Sequence, residues 1–480
     1  MTSLSCPIRE GAAHHPDAQA LTFAGRSWSY RELDEAVGHW VAALEARGIA
    51  SGQRVALLAT NHADSVFLFW ALGRLGAVLA PLNARLTASE LAPLVDDVEP
   101  ALVLALASLR EKFPRAEPLE AFASSATSAT CGALEVSSPR VVLFTSGTTG
   151  RPKGAVLTEG NFRASCRASA ANLGTHPAPR WLGTLPLFHV GGLSMLTRTA
   201  YEGGCLVLHE RFDVDSANRA FDEEAVSHAS LVATTLERVL DARGGRRMPS
   251  TFEVALIGGG PVPVPLLERA RAVGLVALQT YGLTESCSQA ATERPGDADG
   301  RTAGPALPGV EVRVVGPSGA PCGPGEEGDI QVRGPTVMSG YWRRPEATRE
   351  ALRDGWLHTK DLGVVDARGR LTVLSRRTDL ILRGGENVYP AEVEAVLINH
   401  PAVQEAAVVG IADARWGEVP VAFLVPRVGQ ERPDVDALAD WCRRDLAGFK
   451  QPVRFIWREA LPRNAMGKLE RQVLRQDASH

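Results

Sequence analysis

The densest group of phosphate-binding residues in this chain follows the β-branched and aromatic run 141–144. It reads Thr145, Ser146, Gly147, Thr148, Thr149, Gly150, Arg151, Pro152, Lys153 and Gly154. Glycines allow close backbone approach and positive φ angles, successive N–H groups form an anion-binding concavity, and the lysine adds charge. The sequence therefore predicts a loop that curls around a triphosphate. A glycine follows the lysine, so this is not the usual P-loop, and a plain Ser/Thr/Gly surface turn is the alternative interpretation.

Composition indicates an ordinary globular protein of more than one domain. The chain has 480 residues, of which 45% are hydrophobic and 22% charged, and its net charge is −4, so we expect no nucleic-acid partner. Seven scattered cysteines without a Cys-x-x-Cys pair argue against a disulfide framework or a structural zinc site and favour a reducing cytoplasm. The N-terminus lacks the pattern of a signal peptide. The most apolar stretch, 65–82, contains Arg74 and predicts a buried helix and strand, not a membrane span.

Hydrophobic spacing predicts an α/β fold with two parts. Helical and strand patterns alternate in the first part, which implies right-handed crossovers and a parallel sheet buried on both faces. The predicted helices are 30–47, 65–75 and 87–95, and the predicted strands are 54–58, 77–80, 101–106, 205–208 and 254–257. From about 309 short strands separated by turns predict a β-barrel-like subdomain, 309–377. The segment 378–480 has its own α+β pattern, so we assign 1–377 and 378–480 to separate domains.

Further motifs carry groups suited to activating a nucleotide. Tyr281 offers an aromatic face, and the glycines 258–260 allow the close approach that an adenine plane needs. Asp361 can accept hydrogen bonds from both ribose hydroxyls. Glu285, which follows a threonine, suits a Mg²⁺ ion that keeps waters and also binds substrate phosphate. Lys468, near the end of the chain, can bring a removable charge to the reacting centre.

Taken together and in this order, the motifs resemble those of the acyl-adenylating superfamily, which includes acyl-CoA synthetases, nonribosomal-peptide adenylation domains and firefly luciferase. The resemblance covers nearly the whole chain. Within the superfamily the chain is most similar to o-succinylbenzoate–CoA ligases of menaquinone biosynthesis, on the segments LNARL (82–86), GGGP (258–261), TESCSQ (284–289) and GENVYPAEVE (385–394). The resemblance implies a large AMP-binding domain, a mobile C-terminal domain, and ligation of a carboxylic acid to CoA with ATP and Mg²⁺.

The resemblance also implies a role for each nucleotide-binding residue. The loop from Thr145 to Gly154 holds the β- and γ-phosphates, Tyr281 packs on adenine, Thr284 contacts the α-phosphate, and Glu285 binds Mg²⁺. The remaining implied nucleotide contacts are Gly258, Gly259, Gly260, Gly282, Asp361 and Arg376. Lys468 matches the catalytic lysine that bridges the substrate carboxylate and the α-phosphate. Its role is then electrostatic stabilisation of charge that develops in the transition state.

For the second half-reaction, the resemblance implies a rotation of the small domain about Thr378 or Asp379. This movement removes Lys468 and brings a CoA-binding loop towards a pantetheine tunnel. The loop comprises Gly384, Gly385, Glu386 and Asn387. Phe188 and His189 match the gate between the thiol and the acyl pocket, although a lone histidine of this kind is more often a satisfied core residue.

The acid pocket is less well specified by the sequence. A second carboxylate on the substrate needs a cation or several donors, for which the candidates are Arg85, Arg198, Ser288 and Gln289; a surface arginine is the default alternative. Lys360 and Ser375 stand where the family usually has glycine, and Gly191 stands where o-succinylbenzoate ligases tend to have serine. The charge of Lys360 next to Asp361 is expected to depress the pKa of that carboxyl or to contact a CoA phosphate.

Several functions remain open at this point. A ligase for benzoate, anthranilate or another aryl acid would keep the same machinery and lose only the anchor for the second carboxylate. An adenylation module that loads a carrier protein would share the first step. A non-catalytic binding or scaffold protein is disfavoured by the presence of Lys153, Glu285, Asp361 and Lys468 together. The sequence leaves a homo-oligomer open and predicts small-molecule partners only.

Overall fold

The computed structural model describes residues 3–122, 133–145, 152–174, 176–260, 262–376, 379–383, 386–413, 416–446, 448–464 and 467–479. They form two compact units. Unit 1 comprises Met1–Gly260, Glu268–Val312 and Val332–His358, and unit 2 comprises Pro261–Leu267, Arg313–Gln331 and Thr359–His480. The domain boundary after residue 377 stays a prediction, because 377 and 378 lie outside the described residues.

The first elements of the chain alternate as the hydrophobic pattern predicts. They are β1 (Ser3–Ser5), α1 (Pro7–His14), β2 (Gln19–Phe23), β3 (Arg26–Ser29), α2 (Tyr30–Ala46), β4 (Arg54–Leu58), α3 (Ala63–Leu75), β5 (Val78–Leu82), α4 (Ala88–Val98), β6 (Leu102–Ala105) and β7 (Glu117–Pro118). Helices α2 and α4 begin at capping boxes, in which Ser29 pairs with Glu32 and Thr87 with Glu90.

The middle of the chain contains the elements that carry most of the predicted site. They are β8 (Ala133–Glu135), β9 (Pro139–Thr145), β10 (Lys153–Thr158), α5 (Glu159–Leu173), β11 (Arg180–Gly183), α6 (Val190–Tyr201), β12 (Cys205–Leu208), α7 (Val214–Glu223), β13 (His228–Leu231), α8 (Ala233–Arg243), β14 (Val254–Ile257), α9 (Val264–Ala272), β15 (Ala277–Tyr281) and β16 (Ala291–Thr292). Asp213 caps α7 by accepting from Ser216 N at 2.9 Å, as its position suggests.

The last elements are shorter strands followed by a second α+β pattern. They are β17 (Glu311–Val315), β18 (Glu327–Arg333), β19 (Gly340–Tyr341), α10 (Pro345–Ala351), β20 (Leu352–Arg353), β21 (Trp356–Val365), β22 (Leu371–Arg376), β23 (Ile381–Arg383), β24 (Glu386–Val388), α11 (Pro390–Ile398), β25 (Val403–Asp413), β26 (Gly417–Pro426), α12 (Val435–Asp445), β27 (Arg454–Trp457) and α13 (Arg471–Ser479). Short 3₁₀ helices span Ala107–Lys112, Thr284–Ser286 and Gly448–Lys450.

Unit 1 contains two large sheets whose central strands are parallel. One has the order β19-β10-β9-β5-β4-β6-β7, and the other has the order β16-β15-β14-β13-β11-β12-β2-β3. In the second sheet β2, β12, β11, β13, β14 and β15 all run in the same direction. Their carboxyl ends therefore lie along one edge, which is where open α/β sheets bind ligands.

Most of the strands between 311 and 376 belong to one sheet, and the β-barrel-like subdomain predicted for 309–377 stays a prediction. They give a five-stranded sheet of order β17-β18-β21-β20, with β22 paired to β21, and the pairs of β21 with β20 and β22 are antiparallel. The division between the two compact units cuts β17, β18 and β21.

The C-terminal part of unit 2 is a sheet of order β24-β23-β26-β25, with β27 parallel to β26. One face packs against α11 and α12 through a cluster that includes Val393, Leu397 and Leu438. The other face packs against α13 through Leu474 and Ala478. Pro390 occupies the first turn of α11, where its missing N–H costs nothing.

Two sequence expectations about the environment can be compared with the described residues. Six of the seven cysteines lie among them, and all six are free. Within the same part of the chain, we find no helix with the length and apolar character needed to cross a membrane.

Candidate active site

Lys153 and Glu285 both lie close to the side chain of Tyr341. The Tyr341 hydroxyl donates to Glu285 Oε1 at 2.8 Å, and Lys153 Nζ lies 5.4 Å from the centre of the same ring. Tyr341 reaches this place because β19 pairs with β10, so that Ala155 and Tyr341 are partners. The structure therefore brings the predicted phosphate-binding lysine and the predicted metal-binding carboxylate together.

The phosphate-binding segment leaves and re-enters the sheet at one point. Thr145 ends β9, Lys153 begins β10, and the two residues are antiparallel partners, with Thr145 Oγ1 donating to Lys153 O at 3.3 Å. Both side chains are half-buried. The five predicted residues Ser146, Gly147, Thr148, Thr149 and Gly150 lie outside the described residues.

The predicted adenine-binding residues follow neighbouring parallel strands. Gly258 begins the segment after β14, where its N–H donates to Leu231 O at 3.1 Å, and Gly259 takes a φ of +86°. Tyr281 ends the adjacent strand β15 and is half-buried. A methyl group on Gly258 would lie 3.0 Å from Thr280 Cγ2, whereas one on Gly260 would meet nothing within 4 Å. The glycines thus leave the edge beside Tyr281 open.

A tightly wound loop places Thr284 and Glu285. Ser288 N donates to Leu283 O at 3.1 Å, and Ala290 N donates to Tyr281 O at 2.8 Å, which closes the loop on itself. Cys287 and Ser288 take positive φ angles of 54° and 87°, which side-chain-bearing residues rarely adopt. Strain of this kind is retained where the surrounding structure over-determines the backbone, often at functional sites.

The loop is also anchored from outside. Ser165 Oγ donates to Cys287 O at 2.8 Å, and Met338 N donates to Glu285 O at 2.8 Å. Gln289 is only 2% exposed, and its amide donates to Thr292 Oγ1 at 2.9 Å and to Thr280 Oγ1 at 3.3 Å. Gln289 therefore anchors the loop to β15 and β16 by hydrogen bonds, and Ser288 is half-buried. Contact of Ser288 and Gln289 with the acid stays a prediction.

Phe188 and His189 precede α6, at the carboxyl side of β11. Their rings lie 4.6 Å apart at 67°, and His189 occupies the N-cap position of the helix. Phe188 is 7% exposed and shares an apolar cluster with Ala84 and Phe144. The cluster links this segment to the strand that enters the phosphate-binding loop and to the turn that carries Arg85.

Asn61 holds that segment in place, and sequence reasoning missed it. This buried side chain accepts from Leu187 N at 2.8 Å and donates to Leu185 O at 3.1 Å and His209 O at 3.0 Å. Asn61 follows β4 of the first sheet, whereas its partners belong to the second. No local pattern reveals such a residue, because its partners lie more than a hundred positions away in the chain.

The two arginines predicted to bind a second carboxylate lie in different environments. Arg85 is exposed on the turn after β5, and Lys112 Nζ clamps that turn through Ala84 O at 2.8 Å and Leu86 O at 3.0 Å. Arg198 is 1% exposed and lies 5.5 Å from the ring of Trp181, near the start of β11.

Burial lowers the pKa of Arg198, and among the described residues its Nε and Nη2 have no hydrogen-bond partner. The amino end of β11 is opposite the edge that carries His189. Arg198 nevertheless interacts electrostatically with Cys287, in the loop that carries Ser288 and Gln289. Its contact with the acid stays a prediction.

In unit 2 the predicted ribose contacts come together. Asp361 on β21 and Arg376 on β22 are antiparallel partners, and Asp361 is 5% exposed. The N–H of Asp361 donates to Thr359 Oγ1 at 3.1 Å, and that hydroxyl donates to Ile330 O at 2.8 Å. The pairing of β21 with β22 thus makes Asp361 and Arg376 neighbours, whereas the sequence shows them only as two separate residues.

Lys468 is exposed on a short hairpin of unit 2. Arg463 and Leu469 form a β-bridge, Asn464 N donates to Lys468 O at 2.8 Å, and Lys468 N donates to Asn464 Oδ1 at 3.1 Å. Gly467 supplies the left-handed turn, with a φ of +75°. Hydrogen bonds therefore fix the backbone of Lys468, while its side chain is exposed.

The predicted hinge and CoA-binding loop are described only in part. Asp379 Oδ1 accepts from Arg475 Nη2 at 3.2 Å. Thr378, Gly384 and Gly385 lie outside the described residues, and Glu386 and Asn387 are described by their backbone pairing with Arg383 and Leu382. Their roles stay predictions.

Comparison with known proteins agrees with this arrangement. The family model of the AMP-binding enzyme matches residues 8–342, and that of the AMP-binding enzyme C-terminal domain matches residues 392–468. The chain belongs to the AMP-binding enzyme family. The first match contains Lys153, Glu285 and Tyr341, and the second ends at Lys468. This confirms the superfamily that the motifs predicted.

Close relatives within the AMP-binding enzymes share nearly the whole chain. A 2-succinylbenzoate–CoA ligase of Geobacillus kaustophilus is 41% identical over 485 residues, covering 99% of this chain and 98% of that protein. The o-succinylbenzoate CoA synthetase of Bacillus subtilis, solved in complex with the acyl-adenylate intermediate OSB-AMP, matches with a TM-score of 0.92 at 36% identity and covers 100% of this chain and 99% of its own. The same enzyme in complex with ATP and magnesium ion matches with a TM-score of 0.92. The predicted fold class is confirmed.

Lys360 shows why the family favours a glycine before the aspartate of β21. Its φ is +65°, in the left-handed region that disfavours a side chain. We expect Lys360→Gly to raise the free energy of unfolding by up to about 1 kcal/mol, because relief of this strain outweighs the added freedom of the unfolded glycine. Denaturant unfolding measures the change.

The matched control is Lys360→Ala, which removes the charge and keeps the strained backbone. If the charge acts on Asp361 or on CoA, both variants will alter the kinetics for ATP or CoA. If conformation alone matters, only the glycine variant will gain stability, and both will keep wild-type kinetics. Equal stability of the two variants would contradict the argument from the backbone.

Proposed function

We propose that this chain is an AMP-forming acid–CoA ligase that converts 2-succinylbenzoate to its CoA thioester in menaquinone biosynthesis. The observation that carries the proposal is the placement of Lys153 and Glu285 close to Tyr341. The glycines 258–260 and Tyr281 lie at the carboxyl ends of the neighbouring strands β14 and β15. The names and bound ligands of the relatives support both the reaction and the acid. A cytoplasmic location is consistent with the free cysteines.

In the first half-reaction the substrate carboxylate attacks the α-phosphorus of ATP, an acyl–phosphate bond forms and pyrophosphate leaves. The carboxylate is already nucleophilic and pyrophosphate is a ready leaving group, so orientation and charge stabilisation are what the protein supplies. Lys153 and the loop after Thr145 hold the terminal phosphates. Tyr281 and the glycines 258–260 hold adenine, Asp361 holds the ribose, and Lys468 stabilises charge at the α-phosphate.

In the second half-reaction the CoA thiolate attacks the acyl carbon, a thioester forms and AMP leaves with the electron pair. In this proposal Phe188 and His189 form the gate, which is supported by α6 and the Asn61 side chain because they fix the backbone of this segment. The acyl-adenylate must be shielded from water during the change of acceptor.

The residues around Glu285 fit a magnesium ion, which is a substrate partner of ATP in the related structure. The carboxylate is half-buried, and one oxygen is oriented by the Tyr341 hydroxyl. A single carboxylate together with waters and phosphate oxygens is the ligand set that Mg²⁺ prefers. When bound, the ion would neutralise phosphate charge; Glu285 would hold it and Tyr341 would orient Glu285.

Tyr341→Phe tests that orienting role. The variant keeps the ring beside Lys153 and removes only the hydroxyl that donates to Glu285. We expect the apparent affinity for Mg²⁺ in the adenylation step to fall by about 10–100-fold, the usual effect of losing a group that orients a metal ligand. Adenylation rates measured across a magnesium titration give the answer.

Tyr30→Phe is the matched control. Tyr30 is a buried tyrosine whose hydroxyl donates to Gly204 O at 2.8 Å, a contact that involves none of the predicted site residues. Its magnesium dependence should equal that of the wild type. An unaltered magnesium titration of Tyr341→Phe would show that Glu285 does not depend on this contact.

A panel of acids tests the proposed function itself. Pyrophosphate release should be strong with 2-succinylbenzoate, weak with benzoate and anthranilate, and absent without acid, and CoA should then yield the thioester. If the enzyme prefers an aryl monoacid, that acid and not 2-succinylbenzoate is the substrate. Transfer to a carrier protein in place of CoA would make the chain a loading module, and absence of pyrophosphate release with every acid would exclude the ligase.

A further inference from the structure

A buried charged cluster lies where α13 begins, three residues after Lys468. Arg471 forms an ion pair with Glu394 of α11, with Nη2 to Oε2 at 3.1 Å as one of its contacts, and its Nη1 donates to Val408 O at 2.9 Å. The Glu394 carboxylate also accepts from Val408 N at 2.7 Å and is itself 8% exposed as a residue. The start of α13 is thus tied to both α11 and β25.

The same guanidinium faces the predicted hinge. Arg471 Nε lies 3.6 Å from Asp379 Oδ2, and Arg475, one turn later on α13, donates to Asp379 Oδ1 at 3.2 Å. Burial would lower the pKa of Arg471, but the carboxylates of Glu394 and Asp379 outweigh it and raise that pKa above its ordinary value. Arg471 therefore stays charged and joins three segments that are distant in sequence.

The cluster is continuous with the hairpin that presents Lys468. Glu470 N donates to Pro462 O at 2.9 Å, so the hairpin closes immediately before Arg471. Arg463 closes its other side, through Gly467 O at 3.0 Å and an ion pair with Glu405 of β25. Arg463 at the base of the hairpin and Arg471 at the start of α13 therefore both contact β25.

We propose that Arg471 is a positioning residue for adenylation, because it ties the hairpin of Lys468 to both Glu394 and Asp379. The inference rests on the proposed function. During a rotation about Asp379, the ammonium group of Lys468 then keeps a defined position relative to the hinge. We call the ion pairs of Arg471 with Glu394 and Asp379 the lock, and Glu394 also ties it to β25 by accepting from Val408 N.

The test measures the rates of the two half-reactions separately in two variants, the isosteric Glu394→Gln and the conservative Arg471→Lys. We expect kcat for acyl-adenylate formation to fall by about 10–10²-fold, with little change in KM for ATP, since small misplacement of a reacting group has effects of this size. Thioester formation from supplied acyl-adenylate and CoA should keep its wild-type rate, because that step does not use Lys468.

Two further variants keep the proposal open to failure if Arg471→Lys or Glu394→Gln does not fold. Asp379→Asn weakens the half-exposed end of the lock and should give a smaller loss of the same kind. Asp477→Asn, the control, breaks an exposed pair with Arg458 at 2.9 Å on the same helix and should change neither step.

A proportional loss of both half-reactions, with a lowered melting temperature, would overturn the proposal and leave Arg471 a purely structural residue. Unchanged adenylation in all the lock variants would overturn it as well. If the wild type makes acyl-adenylate and Lys468→Ala does not, such results count against the lock alone. If the wild type makes none, the proposed function itself has failed.

Discussion

Replacement of Lys468 by alanine is expected to reduce the rate of acyl-adenylate formation by about 10²–10³-fold, the usual cost of removing one preorganised group that stabilises transition-state charge. The structure motivates this size of effect because the hairpin fixes the backbone of Lys468 and leaves its exposed side chain to project from unit 2. Thioester formation from supplied acyl-adenylate should continue. Rapid-quench assays of each half-reaction measure the two rates separately.

Glu470→Gln is a suitable control for that experiment. Glu470 is an exposed carboxylate two residues further along the chain, so the variant changes the local charge by one unit of opposite sign and leaves the lysine in place. Its adenylation rate should match the wild type. Equal losses in both half-reactions of Lys468→Ala would contradict an electrostatic role confined to the first step.

The second large effect is expected at Gly282, between Tyr281 and Thr284. A methyl group at this position would lie 1.5 Å from Ser288 O and 2.9 Å from Gln289 Cα, both of them backbone atoms of the wound loop. Ser288 is already strained, and its N–H is engaged with Leu283 O. The loop has no room to yield without moving the residues that it presents.

Gly282→Ala should therefore abolish measurable adenylation at ordinary ATP concentrations and lower the free energy of unfolding by about 1–3 kcal/mol or more, as overpacking does. Gly323→Ala is the matched control, since its added methyl would meet only the Glu326 side chain, at 3.5 Å. Nucleotide binding by calorimetry and denaturant unfolding would test both. Wild-type ATP affinity in Gly282→Ala would show that the loop does not hold the nucleotide.

Local features of the chain were predicted well from the sequence. Helix α2 begins at residue 30 and β4 spans 54–58, both as predicted. These features depend on hydrophobic spacing and on capping groups within one turn, so nearby residues suffice to specify them. The domain limits stay a prediction, and the two compact units divide the strands between 311 and 376.

By itself, the sequence predicted which residues carry the chemistry: Lys153, Tyr281, Glu285, Asp361 and Lys468 stand in motifs short enough to be read along the chain. Only the tertiary structure decided what orients them. Tyr341 reaches Glu285, Asn61 reaches Leu187, and Glu394 reaches Arg471 through strand pairing and helix packing. The physical reason is that a hydrogen bond or ion pair acts over a few ångströms in space, whereas its partners here are separated by dozens to more than a hundred residues of chain.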